Sequence, residues 1–208
     1  MMKIEAVSSQ PDRAGRYKVQ FSDGTTRRLY RQTVEDFALY AGRELEPKEF
    51  SALLEAAGEM SAKMRAVRIV SASSVSKKDL EQRLIHKGED ARHAKQAVAW
   101  MTEMDILDDG KTAEQVVHRC ISRGYGINRA KQMLYEKRIP KEYWDDALSD
   151  YPDQEEWIES FFRSRLQDGQ DEKQIRKAID ALIRRGHPYQ VIRSVLADMS
   201  CDNAFWEE

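Results

Sequence analysis

The side chains best equipped for chemistry in this sequence are the arginines and lysines of its second half, and the chemistry they offer is anion binding. From residue 111 to 138 there are seven Lys and Arg against two acids, and from residue 172 to 193 there are six against two. The formal net charge is only -2, so the uneven distribution of charge is the signal rather than its total. The alternative is that these are the solvated faces of ordinary helices.

The candidate residues share a basic side chain or stand in a basic turn. They are Arg119, Arg123, Tyr125, Arg129, Lys131, Lys137, Arg138, Arg163, Arg176, Arg184, Arg185 and Arg193. On curved helical repeats such residues can line one groove and meet phosphates or an acidic protein surface.

Catalytic groups are not convergent in this sequence. His118 and Cys120 are two residues apart and fall on different sides of a helix, and the four histidines are scattered. Asp108 and Asp109 fit helix capping better than cation binding. The segment 124–126 lacks the Lys-Ser/Thr of a phosphate loop. We therefore expect no catalytic, cofactor-binding or metal-binding residue, and a protein that is not an enzyme.

A motif that occurs three times predicts the helices that position the basic residues. Each copy is a helical run, a stop at Gly88, Arg138 or Gly186, and a second helical run. Apolar residues follow the stop at offsets of six, nine and ten in all three copies: Ala94, Ala97, Val98, then Trp144, Ala147, Leu148, then Ile192, Val195, Leu196. Gly88 and Gly186 suit a left-handed terminal residue, whereas Arg138 adopts that conformation at a cost.

This periodic frame predicts a mainly α protein built of tandem three-helix repeats that form an elongated, curved array. We place repeat 1 at residues 61–110, repeat 2 at 111–152, and repeat 3 at 153–208 together with an acidic tail. The first 60 residues form a separate N-terminal region.

The N-terminal region, residues 1–60, predicts a small β-meander with two short helices. Alternation around Val19 and Phe21 is typical of a strand, and Asp23-Gly24 predicts a tight turn with positive φ at both residues. Thr33 resembles the N-cap of a first helix, and Pro47 opens a second short helix within these residues.

Two cysteines provide no disulfide framework, and no apolar run approaches the ~18 residues of a membrane span. We expect a cytoplasmic monomer that does not contact membranes.

In its repeats and basic turns the chain resembles the RecX family of recombination regulators, over roughly residues 61 to 198. The resemblance rests on Leu107-Asp108-Asp109, on Arg123-Gly124-Tyr125-Gly126 with Arg129, and on Arg184-Arg185-Gly186 with the apolar positions that follow. Departures from the family pattern are Thr112, Arg138 in place of a glycine, and His187-Pro188 in place of a turn with phenylalanine.

The resemblance implies a regulator that binds the RecA filament on single-stranded DNA and inhibits ATP hydrolysis and strand exchange in recombination and DNA repair. Some family members also bind single- or double-stranded DNA directly. The alternative is a helical module that binds DNA without sequence specificity and acts without RecA.

Overall fold

A computed structural model describes residues 1–165 and 172–201, and for the last two of these only the backbone. The acidic tail predicted beyond Asp198 lies largely outside the described residues. The chain divides into two compact units. The first unit contains residues 1–73 and 77–107, and the second contains residues 74–76 together with the chain from Asp108 onward. The four-part division by repeats stays a prediction.

The first unit begins with a four-stranded antiparallel sheet. Its strands are β1 (Met2–Val7), β2 (Arg16–Phe21), β3 (Thr26–Tyr30) and β4 (Glu44–Leu45), in the order β3-β2-β1-β4. The predicted meander is confirmed by β1, β2 and β3, and the two-residue β4 is an addition. Ile4, Val19 and Phe21 are fully buried on one face because the strands alternate between an inner and an outer side.

The turn between β2 and β3 differs from the expected two-residue turn. Only Gly24 has positive φ, at 80°, so the prediction of positive φ at both Asp23 and Gly24 is wrong. Asp23 instead accepts hydrogen bonds from the backbone N–H and the hydroxyl of Thr25, at 2.9 and 2.6 Å. Gly24 thus keeps the left-handed conformation, whereas at Asp23 side-chain bonding takes its place.

Two helices cover the inner face of the sheet, α1 (Arg31–Asp36) and α2 (Pro47–Ala72). Thr33 is not the N-cap, since α1 begins two residues earlier and buries Thr33. Pro47 opens α2 as predicted. The expectation of a short second helix within residues 1–60 is wrong, because α2 is 26 residues long and passes through residue 60. Gly58 serves packing: a Cβ there would lie 2.3 Å from Cε1 of His93.

The rest of the described chain is helical, which confirms the mainly α fold with a small N-terminal sheet. The first unit adds α3 (Lys77–His86) and α4 (Ala91–Glu103). Repeat 2 contains α5 (Asp109–Ser122), α6 (Ile127–Glu136), a 3-10 helix (Lys141–Tyr143) and α7 (Trp144–Leu148). Repeat 3 contains α8 (Gln154–Arg165), α9 (Glu172–Arg184) and α10 (Tyr189–Cys201).

The three predicted stops end their helices in the same way. Gly88, Arg138 and Gly186 have φ of 88°, 55° and 85°, which confirms the left-handed conformation, including that of the arginine. In each copy the stop residue donates its N–H to the carbonyl three residues earlier, at 2.8 to 2.9 Å. The next residue donates to a buried leucine carbonyl five residues earlier, at 3.1 Å. This pair of bonds satisfies carbonyls that a helix end leaves open.

The second unit has two apolar clusters, one in each repeat. Repeat 2 buries Ala113, Val116, Val117, Leu134, Ile139 and Ala147. Repeat 3 buries Ile158, Phe162, Ala178, Leu182, Ile192 and Val195. Within the described residues, no helix is both long enough and apolar enough to cross a membrane.

Candidate anion-binding site

Two turns of the second unit meet at the backbone level, one from each repeat. Gly126 donates its N–H to the carbonyl of Arg185 at 2.9 Å, and Asn128 donates to the carbonyl of Gly186 at 3.1 Å. A Cβ on Gly126 would lie 2.3 Å from the backbone of Gly186. A Cβ on Gly186 would lie 2.5 Å from the backbone N of Arg129. Only glycine permits this approach, so the contact, named the glycine junction, fixes the two turns against each other.

A buried histidine fills the space beside the glycine junction. His187 stacks on Trp157, with ring centroids 4.5 Å apart and planes inclined by 14°. Its Nδ1 lies 3.0 Å from Oε1 of Gln154, and its Nε2 lies 3.4 Å from the carbonyl oxygen of Gly124. Burial lowers the pKa of His187, and the positive charge of Arg185 lowers it further. His187 is therefore a neutral, packed ring at pH 7.

Four of the predicted basic residues stand in the segments that form the glycine junction or next to them in the chain. The positive charges of Arg129, Arg123 and Arg119 all act on the thiol of Cys120, although burial outweighs them and raises its pKa. From repeat 3, Nη1 of Arg185 lies 3.5 Å from the position that a Cβ on Gly124 would take. We name Arg119, Arg123, Arg129 and Arg185 the junction cluster. Three separate segments contribute to it: α5, α6 and the turn after α9.

Within the junction cluster, Arg119 and Arg123 are exposed, whereas Arg129 is half-buried. Arg129 donates to Oε1 of Gln132 at 2.8 Å and lies 3.7 Å from a carboxylate oxygen of Glu136. Among the residues that the structure describes, neither Arg119 nor Arg123 has a carboxylate at ion-pair distance. Their guanidinium groups are exposed and can meet an external anion.

Other predicted residues are engaged elsewhere. Arg163 pairs with Glu159 at 2.6 Å and Arg176 pairs with Glu172, each one turn away on its own helix. The ammonium of Lys137 donates to the carbonyl of Ser74 at 2.6 Å, which holds residues 74–76 against repeat 2. These contacts give Arg163, Arg176 and Lys137 structural partners rather than a place in the junction cluster.

The remaining candidates are Lys131, Arg138, Arg184, Arg193 and Tyr125. Lys131, Arg184 and Arg193 are exposed, and Arg138 occupies its helix stop. Tyr125 is half-buried, and its carbonyl accepts the hydroxyl of Tyr151 at 2.6 Å, so Tyr125 shapes the turn through its backbone.

A metal site in the described part of the chain would require acidic, histidine or cysteine side chains that lie close together. No group of three or more His, Cys, Asp or Glu is placed there to hold a metal ion. Asp108 accepts the N–H of Lys111 at 3.1 Å and caps α5, which confirms its predicted role.

Two residues that contact the glycine junction, Gln154 and His187, are not among the predicted site residues. Gln154 accepts the N–H of Ile127 at 3.3 Å in addition to its contact with His187, and nothing in the sequence marks it for this role. The repeat pattern could have identified His187, because it directly follows the third stop, just as Ile139 directly follows the second. Both are buried, so the position demands packing in either copy.

The family model for "RecX, second three-helix domain" matches residues 108–148, which include the part of the junction cluster from repeat 2. "Regulatory protein RecX" of Clostridioides difficile (strain 630) is 24% identical over 200 residues, which cover 93% of this chain and 92% of that protein. "Regulatory protein RecX" of Stenotrophomonas maltophilia (strain R551-3) is 32% identical over 132 residues, 62% of this chain and 81% of that protein.

The chain belongs to the RecX family. Two solved RecX structures show the same fold. A crystal structure of regulatory protein RecX has a TM-score of 0.61 at 22% identity and covers 95% of this chain and 100% of its own. RecX from Lactobacillus salivarius has a TM-score of 0.60 at 18% identity and covers 70% of this chain and 99% of its own.

Proposed function

We propose that the chain regulates the RecA recombinase by binding its filament on single-stranded DNA, with the junction cluster as the main contact. Bound in this way, the chain slows ATP hydrolysis and strand exchange during recombination and DNA repair. The observation that carries the proposal is the glycine junction, whose backbone bonds join the turn that follows Arg123 to the turn that holds Arg185. Membership of the RecX family supports the identity of the partner.

The chemistry of the cluster suits a surface of phosphates or carboxylates. A guanidinium presents a planar set of N–H donors that matches either group with two parallel hydrogen bonds. The glycine junction supports the proposal because its backbone bonds hold the turns of Arg123 and Arg185 in place before a partner arrives. Groups that are already ordered lose less conformational entropy on binding.

The direct test is the rate of ATP hydrolysis by RecA on single-stranded DNA, titrated with this chain. We expect the rate to fall, and no effect at stoichiometric excess would refute the proposal. The double variant Arg119→Glu/Arg123→Glu should need a concentration about tenfold higher for half the effect, because repulsion replaces attraction at two exposed positions.

A matched control is Lys48→Glu/Lys95→Glu, which makes the same change of charge at two exposed positions of the first unit. We expect it to regulate as the wild type does. If both double variants lose the effect equally, the junction cluster is not the contact surface. If the chain binds DNA tightly but leaves RecA unaffected, the alternative of an independent DNA-binding module is the better account.

A further inference from the structure

The N-terminal sheet carries a pair of like charges that the regulatory proposal does not use. Lys18 of β2 stands directly opposite Arg28 of β3 in the register of the sheet. Side chains at directly opposed positions start ~4.5–5.5 Å apart at their Cβ atoms, and like charges at that distance destabilise a sheet. Both side chains are exposed. A costly arrangement of this kind requires a physical reason.

The pair lies on the outer face of the sheet. Val19 and Phe21, the neighbours of Lys18 and Gln20 along β2, are fully buried on the inner face. Phe50 of α2 packs on that inner face, with its ring centroid 5.3 Å from that of Phe21. Because strand residues alternate between faces, Lys18 and Gln20 point away from the helices that cover the sheet.

No acid compensates the pair. Across the residues that the structure describes, no carboxylate lies at ion-pair distance from Lys18 or Arg28. Arg16, next on the same face, already binds Asp12 at 2.8 Å. The acid of this face, Glu5, accepts a hydrogen bond from Gln20 at 3.1 Å. Lys18 and Arg28 thus face solvent with their charges unneutralised.

Charge is also segregated along this part of the sequence. Residues 1–30, which form the three main strands, hold six Lys and Arg against three acids. Residues 31–58, which form α1, β4 and the start of α2, hold three against six. The three main strands are therefore the positive part of an N-terminal region whose charges balance as a whole.

Protection of an exposed sheet edge does not account for the pair. Cations on an edge strand prevent edge-to-edge association, and this explains Arg28, since β3 is an edge. Lys18 stands on β2, which is bonded on both sides by β1 and β3. A cation at that place, opposite another, is not needed to guard an edge.

We infer that the outer face of the N-terminal sheet is a binding site for the phosphate backbone of a nucleic acid, with Lys18 and Arg28 as its cations. The amide of Gln20 and the hydroxyl of Thr26, which are directly opposed in the next row, supply polar groups beside them. Phosphate backbones are bound by cations together with amide and hydroxyl donors. An acidic protein is the weaker candidate. Protein interfaces use exposed aromatic or aliphatic anchors, whereas Tyr30, the aromatic residue opposite Arg16 on this face, is half-buried and its hydroxyl is bound by Arg68.

The test measures binding of the full chain to a fluorescent 20-nucleotide single strand by anisotropy, at several salt concentrations and without any other protein. Lys18→Gln/Arg28→Gln should bind about tenfold more weakly, with a salt slope about 1.4 smaller, because two phosphate contacts are lost. Its melting temperature should not fall below that of the wild type, since the variant removes a repulsion. Lys48→Gln/Lys95→Gln is the control with equal charge and should bind as the wild type does.

Two outcomes would overturn the inference. In the first, Lys18→Gln/Arg28→Gln binds the strand with the affinity and salt slope of the control. In the second, polyglutamate displaces the strand as well as an unlabelled oligonucleotide does, which would identify an acidic protein as the occupant. Neither result bears on the regulation of RecA, because Arg119 and Arg123 are unchanged in these variants.

Discussion

Arg138 shows how a single residue can hold a structural place at a cost. Its φ of 55° lies in a region where a side chain clashes with the following carbonyl. The helix end nevertheless closes as in the two glycine copies, with bonds of 2.8 and 3.1 Å. The hydroxyl of Ser76 adds a bond of 2.6 Å to the carbonyl of Lys137, one residue earlier. The surrounding contacts therefore maintain a conformation that arginine does not favour.

We predict that Arg138→Gly stabilises the protein. Relief of a left-handed conformation is worth about 1–2 kcal/mol, and the added freedom of glycine in the unfolded chain removes about 0.5–1 kcal/mol. The free energy of unfolding in urea should rise by about 0.5–1 kcal/mol. Lys131→Gly, at an exposed position inside α6, is the control and should lose about 1 kcal/mol. Equal losses in both variants would show that Arg138 is not strained.

The contact between repeats 2 and 3 shows what short elements achieve together. Neither turn is long, yet each supplies a glycine that lets the backbone of the other approach. The stacked rings of His187 and Trp157 pack beside this contact. Gln154 joins the two, since its oxygen contacts both His187 and the N–H of Ile127. The glycine junction thus couples the two repeats through backbone bonds and one titratable ring.

That ring makes the stability of the glycine junction depend on pH. The pKa of His187 is lowered in the folded state, so near pH 6.5 the unfolded chain takes up a proton that the folded chain refuses. The neutral ring of His187 makes its full contribution to the free energy of unfolding above its unfolded pKa of about 6.5. That contribution is lost as the pH falls through this value.

We therefore expect the free energy of unfolding to fall between pH 8 and 5.5, a range in which ordinary carboxylates remain charged. His187→Phe keeps an aromatic ring against Trp157 and cannot take up a proton, so its decline over this range should be smaller. His118→Gln, at an exposed position on α5, should keep the decline of the wild type. Parallel pH curves for the wild type and His187→Phe would contradict this account.

At the level of the whole molecule, each of the two units contains its own apolar core. The sheet packs Ile4, Val19 and Phe21 against α2, whereas the clusters of repeats 2 and 3 are formed entirely from residues after Asp108. A region that holds a complete core can fold by itself. The predicted boundary at residue 60 lacks this property, since it would cut α2.

A fragment of residues 108–208 should accordingly fold without the first unit. Circular dichroism should show helix and one cooperative thermal transition. The melting temperature of the fragment should be lower than that of the same region in the full chain. In the fragment the Lys137 ammonium has lost its bond to Ser74, and the Lys137 carbonyl has lost the bond from the Ser76 hydroxyl. A fragment without a cooperative transition would show that the second unit depends on residues that precede Asp108, including residues 74–76.

The sequence by itself determined the helices, their stops and most of the core, because apolar spacing and helix-ending residues act over a few neighbours in the chain. Even the irregular stop at Arg138 was visible in this way. Only the tertiary structure decided which turns meet. Gly124, which follows Arg123, lies beside the guanidinium of Arg185, 61 residues later in the sequence, and this depends on a close approach between Gly126 and Gly186. That approach follows from packing between repeats, and no local pattern encodes it. The same holds at Gly58, where the space that glycine leaves is filled by His93 from another helix.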